Sequence, residues 1–155
     1  MRPKNPMPLF FSRPDLICLI LLIVSIVVGV FLPVVKFVYS PYAYLGIAPI
    51  VLGVVLSVWA DALFKRNKTT VKPHERPLAL MTSGPFRISR NPMYLGMMAI
   101  LFGIAVCVGS LSAFVSPLIF FLVSDFRFIP LEESVMENVF GMAYVEYKGR
   151  VRRWI

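Results

Sequence analysis

Residues 93–123 read MYLGMMAILFGIAVCVGSLSAFVSPLIFFLV, a stretch that contains no charged side chain. Gly109 and Ser110 divide it into two apolar runs, 93–108 and 111–123, and a Gly-Ser pair is typical of a tight turn. We therefore predict two apolar helices that form a hairpin.

Two further apolar runs precede the hairpin. Residues 16–35 form an uncharged run of about 20 residues, and Lys36 follows it directly. A run of this length is long enough for a helix to cross a bilayer core. Residues 44–64 carry one acid, Asp61, which lies four residues before Lys65 and is expected to pair with it. The sequence thus predicts four transmembrane helices, over residues 16–35, 44–64, 93–108 and 111–123.

The composition agrees with a membrane location. Hydrophobic residues make up 58% of the 155-residue chain and charged residues 15%, with a mean hydropathy of +0.78. A water-soluble domain needs more surface charge, and a disordered chain has fewer apolar residues. We therefore predict a single all-α domain over residues 1–155, a polytopic membrane protein. The net charge of +8 favours contact with anionic membrane lipids, with no nucleic-acid partner.

The lysines and arginines are distributed unevenly between the two sides of the predicted spans. Fifteen of the sixteen lie in the N-terminal segment, in residues 65–91 or in the tail from residue 125 onward, and Lys36 alone lies on the other side. Because cytoplasmic segments are enriched in positive charge, both termini and residues 65–91 are predicted to be cytoplasmic. The two large polar segments then face each other, and we expect the chemistry between them. The short chain indicates a prokaryotic plasma membrane.

The tail contains a predicted amphipathic helix. Apolar residues after Pro130 recur at a spacing of four, at Val135, Val139, Ala143 and Tyr147. This spacing is typical of a helix with one apolar face. Its first turn would contain Glu132 and Glu133, and acidic residues suit a helix N-terminus. We therefore predict one cytoplasmic amphipathic helix at the C-terminus.

Two motifs stand apart from ordinary loop sequence. Residues 82–96 read TSGPFRISRNPMYLG, in which Asn91 suits a helix cap and Pro92 the first helical turn. Free backbone N–H groups at a helix start can bind an anion, and Gly96 leaves room for a flat ligand. In the second motif, the carboxylates of Glu132 and Glu133 could bind hydroxyls or an ammonium. Together these groups suit a ligand with a carboxylate, an amine, a ribose and an adenine, whereas each part alone also fits an ordinary interfacial helix.

The order of the two motifs resembles that of a known family. T-S-G-P-F and R-N-P-x-Y-x-G precede the hairpin, and E-E, F-G, Y-x-x-Y and V-x-R-W-I follow it. This order resembles the isoprenylcysteine carboxyl methyltransferases, whose relatives include phospholipid N-methyltransferases and small prokaryotic membrane methyltransferases. The resemblance covers about half of the chain, from Thr70 to the C-terminus. Asn91 stands where the family commonly has histidine, and an amide cannot relay a proton near neutral pH, although it can still bind a cofactor.

The resemblance implies that S-adenosylmethionine binds in a cytosolic pocket over the third and fourth helices, within residues 78–155. The residues implied to bind this cofactor are Leu78, Ala79, Leu80, Met81, Phe86, Asn91, Pro92, Tyr94, Gly96, Glu132 and Glu133. A basic residue shortly before the two glutamates approaches the substrate in the family, and Arg127 is the nearest match. The implied reaction is methyl transfer to the carboxylate, thiol or amine of a lipophilic substrate that enters from the bilayer.

Two other functions remain open at this stage. A membrane reductase of the sterol-reductase type would bind NADPH, and a non-enzymatic four-helix protein would need polar residues in mid-membrane, of which the spans offer few apart from serines. No metal site is predicted, because His74 has no cysteine or carboxylate at ligand spacing. Four short spans leave room for a partner or a homodimer.

Overall fold

The computed structural model describes residues 13–67 and 78–155, and these ranges are helical, without a strand. Arg2, Lys4 and His74, on which some of the predictions depend, lie outside them. The helices are α1 Pro14–Phe31, α2 Ile47–Arg66, α3 Pro92–Val108, α4 Val115–Val123, α5 Ile129–Phe140 and α6 Met142–Arg150. The predicted all-α class is confirmed.

Three helical stretches in the described part of the chain are long and apolar enough to cross a membrane. They are Pro14–Phe31, Tyr42–Arg66 and Leu111–Phe140. Helix α3 is apolar but has only 17 residues, so it rises about 26 Å against a hydrocarbon core of about 30 Å. The protein is therefore an integral membrane protein with three such helices, and a fourth crossing by α3 stays a prediction.

The first helix ends earlier than predicted. α1 stops at Phe31 rather than at Val35, because Pro33 disfavours a helical conformation in the residue before it. The chain then runs extended beside the hairpin turn, where Leu111 N donates to Val35 O at 2.9 Å and Phe37 N donates to Gly109 O at 3.0 Å. Gly109 has a φ of 73° and ends α3, so the predicted turn is confirmed.

The fourth predicted span does not end at Val123. A π-helical turn, Ser124–Phe128, joins α4 directly to α5, so the predicted start of a separate amphipathic helix after Pro130 is wrong. Pro130 directly follows this π-helical turn, and an interruption of the regular i→i−4 bonding of this kind accommodates a residue without an N–H inside a continuous helix. The break occurs instead at Gly141, whose φ of 55° interrupts the helix and divides the predicted C-terminal helix into α5 and α6.

Helices α2 and α3 pack with their backbones in contact. A Cβ atom added to Gly96 would lie 2.7 Å from Gly53 O and would overlap the Ser57 side chain. One added to Gly103 would lie 3.0 Å from Ile50 N. Such small residues allow close helix approach where lipid removes the hydrophobic driving force between helices. This contact fixes the start of α3 relative to the end of α2.

Two clusters of buried side chains fill the interior. The first core contains Cys18, Leu21, Tyr94, Leu101, Phe120, Phe128 and Ile129. The second core contains Ala60, Met81, Phe86, Tyr144 and Tyr147. The second core ties the end of α2 to residues 78–87 and to α6, and it positions both motifs at the same end of the bundle.

Candidate functional site

The segment before α3 and the C-terminal segment contact each other through the backbone. Arg90 N donates to Arg152 O at 3.0 Å, and the side chains of Ser89 and Asn91 each donate to Arg153 O at 3.1 Å. The predicted meeting of the two polar segments is therefore confirmed for residues 78–91. Which side of the membrane they face stays a prediction.

Asn91 does not cap α3 with its side chain. It occupies the N-cap position, but its amide is directed to Arg153 O, and its own backbone N donates to Ser89 Oγ at 3.1 Å. The predicted N-cap position is therefore confirmed, whereas the side-chain cap bond is not formed, because the bond from Nδ2 to Arg153 O fixes the amide in another orientation. Pro92 begins the helix as predicted.

Glu133 lies at the centre of an ion cluster that we define as Arg90, Asp125, Glu133 and Arg153 and call the buried ion cluster, since Arg90 and Glu133 are buried, whereas Asp125 and Arg153 are part-exposed. Its two carboxylate oxygens lie 2.9 Å from Arg90 Nη1 and 2.9 Å from Arg153 Nη2, and the Glu133 side chain is 8% exposed. Arg153 also contacts Asp125 at 3.0 Å. The bonds from Arg153 are charge-assisted, and hydrogen bonding to Glu133 raises the pKa of Arg153 above its ordinary value. Arg90 faces Glu133 as an ion pair, since its Nε and Nη1 atoms have no hydrogen-bond partner in the described part of the chain.

Trp154 extends the same arrangement. Its indole Nε1 donates to Asp125 Oδ1 at 3.0 Å, and its ring lies 5.1 Å from the ring of Phe121. One carboxylate of the π-helical turn therefore holds two consecutive C-terminal side chains, Arg153 and Trp154. The C-terminal segment is therefore packed against the π-helical turn and forms one wall of the candidate site.

Glu132 has different surroundings from Glu133. Successive side chains on a helix diverge by about 100°, and Glu132 points to Tyr94, whose hydroxyl donates to its Oε1 at 2.6 Å. The Tyr94 ring lies 6.2 Å from that of Phe128 and 6.4 Å from that of Phe120. The three rings bury one another, so they fix the Tyr94 hydroxyl, and the carboxylate it holds is the group suited to meet a cation.

The predicted residues before α3 belong to the second core. Met81 and Phe86 are buried, Ala79 and Leu80 pack against the same cluster, and Leu78 is exposed. Tyr147 donates to Phe86 O at 2.6 Å, and burial raises the pKa of Tyr147, so the hydroxyl stays protonated. The structure thus packs these residues against α6. Tyr94 instead belongs to the first core and holds Glu132 there.

Two predicted site residues lie elsewhere. The room at Gly96 is filled by Ser57 and Gly53 of α2, so the expectation that it is open to a flat ligand is wrong, since α2 packs where the ligand would lie. Arg127 lies in the π-helical turn with an exposed side chain, five residues before Glu132.

Sequence reasoning missed the structural partners of Glu133. Arg90 and Arg153 were part of the quoted motifs without a role, and Asp125 was not singled out. The available signal was an acid placed directly after an uncharged run, 111–124, in a chain with few acids, since charge next to a membrane span is normally paired. No group of three or more potential metal ligands occurs in residues 13–67 and 78–155.

Comparison with known proteins identifies the chain's relatives. The family model described as phospholipid methyltransferase matches residues 41–143, about two thirds of the chain. An uncharacterized protein of Haemophilus influenzae is 38% identical over 63 residues, which are 41% of this chain and 100% of that protein. No solved structure matches. The family match favours a membrane methyltransferase over a reductase or a non-enzymatic protein.

Proposed function

This chain belongs to the phospholipid methyltransferase family, and from that premise we propose that it transfers a methyl group from S-adenosylmethionine to a lipophilic acceptor in the membrane. S-adenosylmethionine supplies a methyl group that is already activated on a positively charged sulfonium. The protein's task is then to bind, to align and to exclude water.

The observation that carries the proposal is the position of Glu132. Its carboxylate is partly buried and is held by the Tyr94 hydroxyl at 2.6 Å, and the Tyr94 ring is in turn fixed by packing against Phe128 and Phe120. A carboxylate held in a fixed position is complementary to the positive charge of the cofactor. The residues present therefore fit the group that the family membership implies.

The other predicted residues take supporting roles in this proposal. Residues 78–81 and Phe86 are assigned to the adenine or the methionine part, and Asn91 and Pro92 to the same site. Leu78 is the exposed member of this set, and the buried Met81, Phe86 and Pro92 shape the site from behind. Glu133 acts through the buried ion cluster, because its two oxygens are engaged by Arg90 and Arg153. It holds the segment before α3 against the C-terminal segment while Glu132 faces the ligand.

The acceptor enters from the bilayer, whereas the cofactor enters from the aqueous side. A carboxylate or thiolate acceptor carries its charge already and needs no general base, and the exposed Arg127 orients it. A phospholipid amine would need deprotonation first, and residues 13–67 and 78–155 contain no histidine to take the proton. The proposal includes both the isoprenylcysteine type and the phospholipid type of acceptor. It also places the site on the cytoplasmic side of the membrane. Association with membrane lipids and assembly as a homodimer are further parts of the proposal.

Calorimetric titration of S-adenosylmethionine into the detergent-purified protein tests the proposal. We expect saturable binding that the Glu132→Gln variant weakens at least tenfold, because the amide lacks the charge that faces the cofactor. Glu137→Gln is the matched control: Glu137 lies on the same helix, pairs with Lys148 at 2.6 Å and is expected to leave binding unchanged. Folded protein that does not bind S-adenosylmethionine, or that binds NADPH in its place, would contradict the proposal.

A further inference from the structure

A groove lies at the end of the bundle opposite the candidate site. It has a volume of about 510 Å³, within the usual range for ligand sites of about 300–1,000 Å³. Its walls come from α1 and α3, and its lining residues are Ile26, Gly29, Val30, Pro33, Lys36, Ile104, Cys107 and Val108. The walls are apolar except at Lys36. The site residues Asn91 and Pro92 lie at the other end of α3, about 26 Å away along the helix.

Lys36 is held in place at this groove. The backbone of Lys36 forms an isolated antiparallel β-bridge with Ser110, and the Lys36 Nζ atom lies 5.7 Å from the centre of the Tyr39 ring. Because the neighbouring backbone is bonded to the hairpin turn, the lysine is fixed relative to both helices that form the groove. Its position is therefore a property of the fold rather than of a loose loop.

The charge of Lys36 lacks a counter-charge at this end. Residues 16–60 and 92–124 contain no other charged side chain, and the ion pairs between described residues do not include Lys36. A cation at the mouth of an apolar groove is complementary to an amphiphile with an anionic head and a hydrocarbon tail.

We propose that this groove binds one anionic phospholipid, with an acyl chain between α1 and α3 and the phosphate at Lys36 Nζ. The charge complementarity selects an anionic lipid over a zwitterionic one, since the groove presents a single uncompensated cation. The inference is independent of the proposed methyl transfer, because the groove and the candidate site lie at opposite ends of α3.

Native mass spectrometry of the full chain released from detergent tests the proposal. The probes are phosphatidylglycerol and phosphatidylcholine with identical acyl chains, offered at equal concentration. We expect one bound phosphatidylglycerol and at least a tenfold preference for it. Lys36→Gln should abolish the preference, and Lys36→Arg should restore it.

A second variant tests the groove itself. Val30→Trp fills the groove and should reduce binding of both lipids at least tenfold, whereas Val24→Trp, on the opposite face of α1, should leave it unchanged. Lys65→Gln is the charge-matched control, since this exposed lysine lies beyond the groove at the end of α2. The proposal is overturned if the wild type binds both lipids equally or if Lys36→Gln keeps the preference. Lys36→Gln should not alter S-adenosylmethionine binding, so failure here is distinguishable from failure of the proposed function.

Discussion

The two ends of the helix bundle are held together by different kinds of interaction. At the site end, the buried ion cluster and Trp154 join α5 and the π-helical turn to the C-terminal segment. At the opposite end, the chain is held by backbone hydrogen bonds between residues 35–38 and the hairpin turn. The hydrogen bond from Ser25 Oγ to Ala113 O, at 3.0 Å, adds to them. Neutral bonds occur at both ends, since Arg90 N and the side chains of Ser89 and Asn91 also bond to carbonyls of the C-terminal segment. Charged side chains are added at the site end, where the chain must hold an irregular, polar segment.

The largest loss of stability is expected on substituting Glu133, at the centre of the buried ion cluster. Glu133→Gln leaves the buried Arg90 beside a neutral amide, whereas the part-exposed Arg153 keeps Asp125. Losing one partner of a buried ion pair costs about 3–5 kcal/mol. The free energy of unfolding in detergent should fall by that amount. The control Glu137→Gln, on a half-exposed pair, should cost less than about 1 kcal/mol. Equal losses in the two variants would contradict the role of the cluster.

A smaller loss of stability is expected from filling the α2–α3 contact, and it should be the same near either end of α3. Gly96→Ala and Gly103→Ala each place a methyl group against the facing backbone, and overpacking costs about 1–3 kcal/mol. Gly149→Ala in α6 meets no neighbouring atom within 4 Å and should not destabilise. Thermal unfolding midpoints of the three variants check this. A loss confined to one of the two contact glycines would show that the helices do not pack along their whole length.

The single hydrogen bond of Trp154 provides an intermediate test. Trp154→Phe removes the donor to Asp125 and keeps an aromatic ring against Phe121, so it should cost about 1 kcal/mol. Tyr39→Phe is the corresponding change at the opposite end, where the exposed hydroxyl donates to Lys36 O at 2.9 Å, and its cost should be near zero. Chemical unfolding of both variants measures the difference, and a reversed order would remove the distinction between the two ends.

The smallest effect on stability is expected at Lys36. Its neighbours are fixed by backbone bonds rather than by its charge, so Lys36→Gln should change the free energy of unfolding by less than about 0.5 kcal/mol. The same unfolding measurement in lipid-free detergent checks this. A loss comparable to that of Glu133→Gln would mean that charge stabilises both ends alike.

Much of the fold follows from local sequence, because apolar runs and turn chemistry act over a few residues. The hairpin at Gly109, the start of α3 at Pro92 and the Asp61–Lys65 pair, at 2.6 Å, all agree with the prediction. The helix breaks did not follow, since the π-helical turn lets the chain pass Pro130 and Gly141 takes the break instead. A turn of this kind depends on packing that no short window of sequence contains.

The site was predicted less completely than the fold. The sequence identified Glu132 and Glu133 together, but their different surroundings depend on Tyr94, Arg90 and Arg153, which lie far along the chain. Gly96 was noted as an open position, and only the three-dimensional packing reveals that α2 fills it. Sequence patterns therefore found the right region, whereas the division of roles within it required long-range contacts.

The central claim is best tested by following the methyl group itself. The purified chain, reconstituted in vesicles of bacterial lipid extract, is incubated with S-adenosylmethionine labelled in its methyl group, and label is counted in the organic phase. We predict label in the lipid fraction with the wild type and with Glu137→Gln, and at least a tenfold loss with Glu132→Gln. Label that the folded wild type and Glu132→Gln transfer equally, to the lipid extract or to an added lipophilic carboxylate or thiol, would contradict the account.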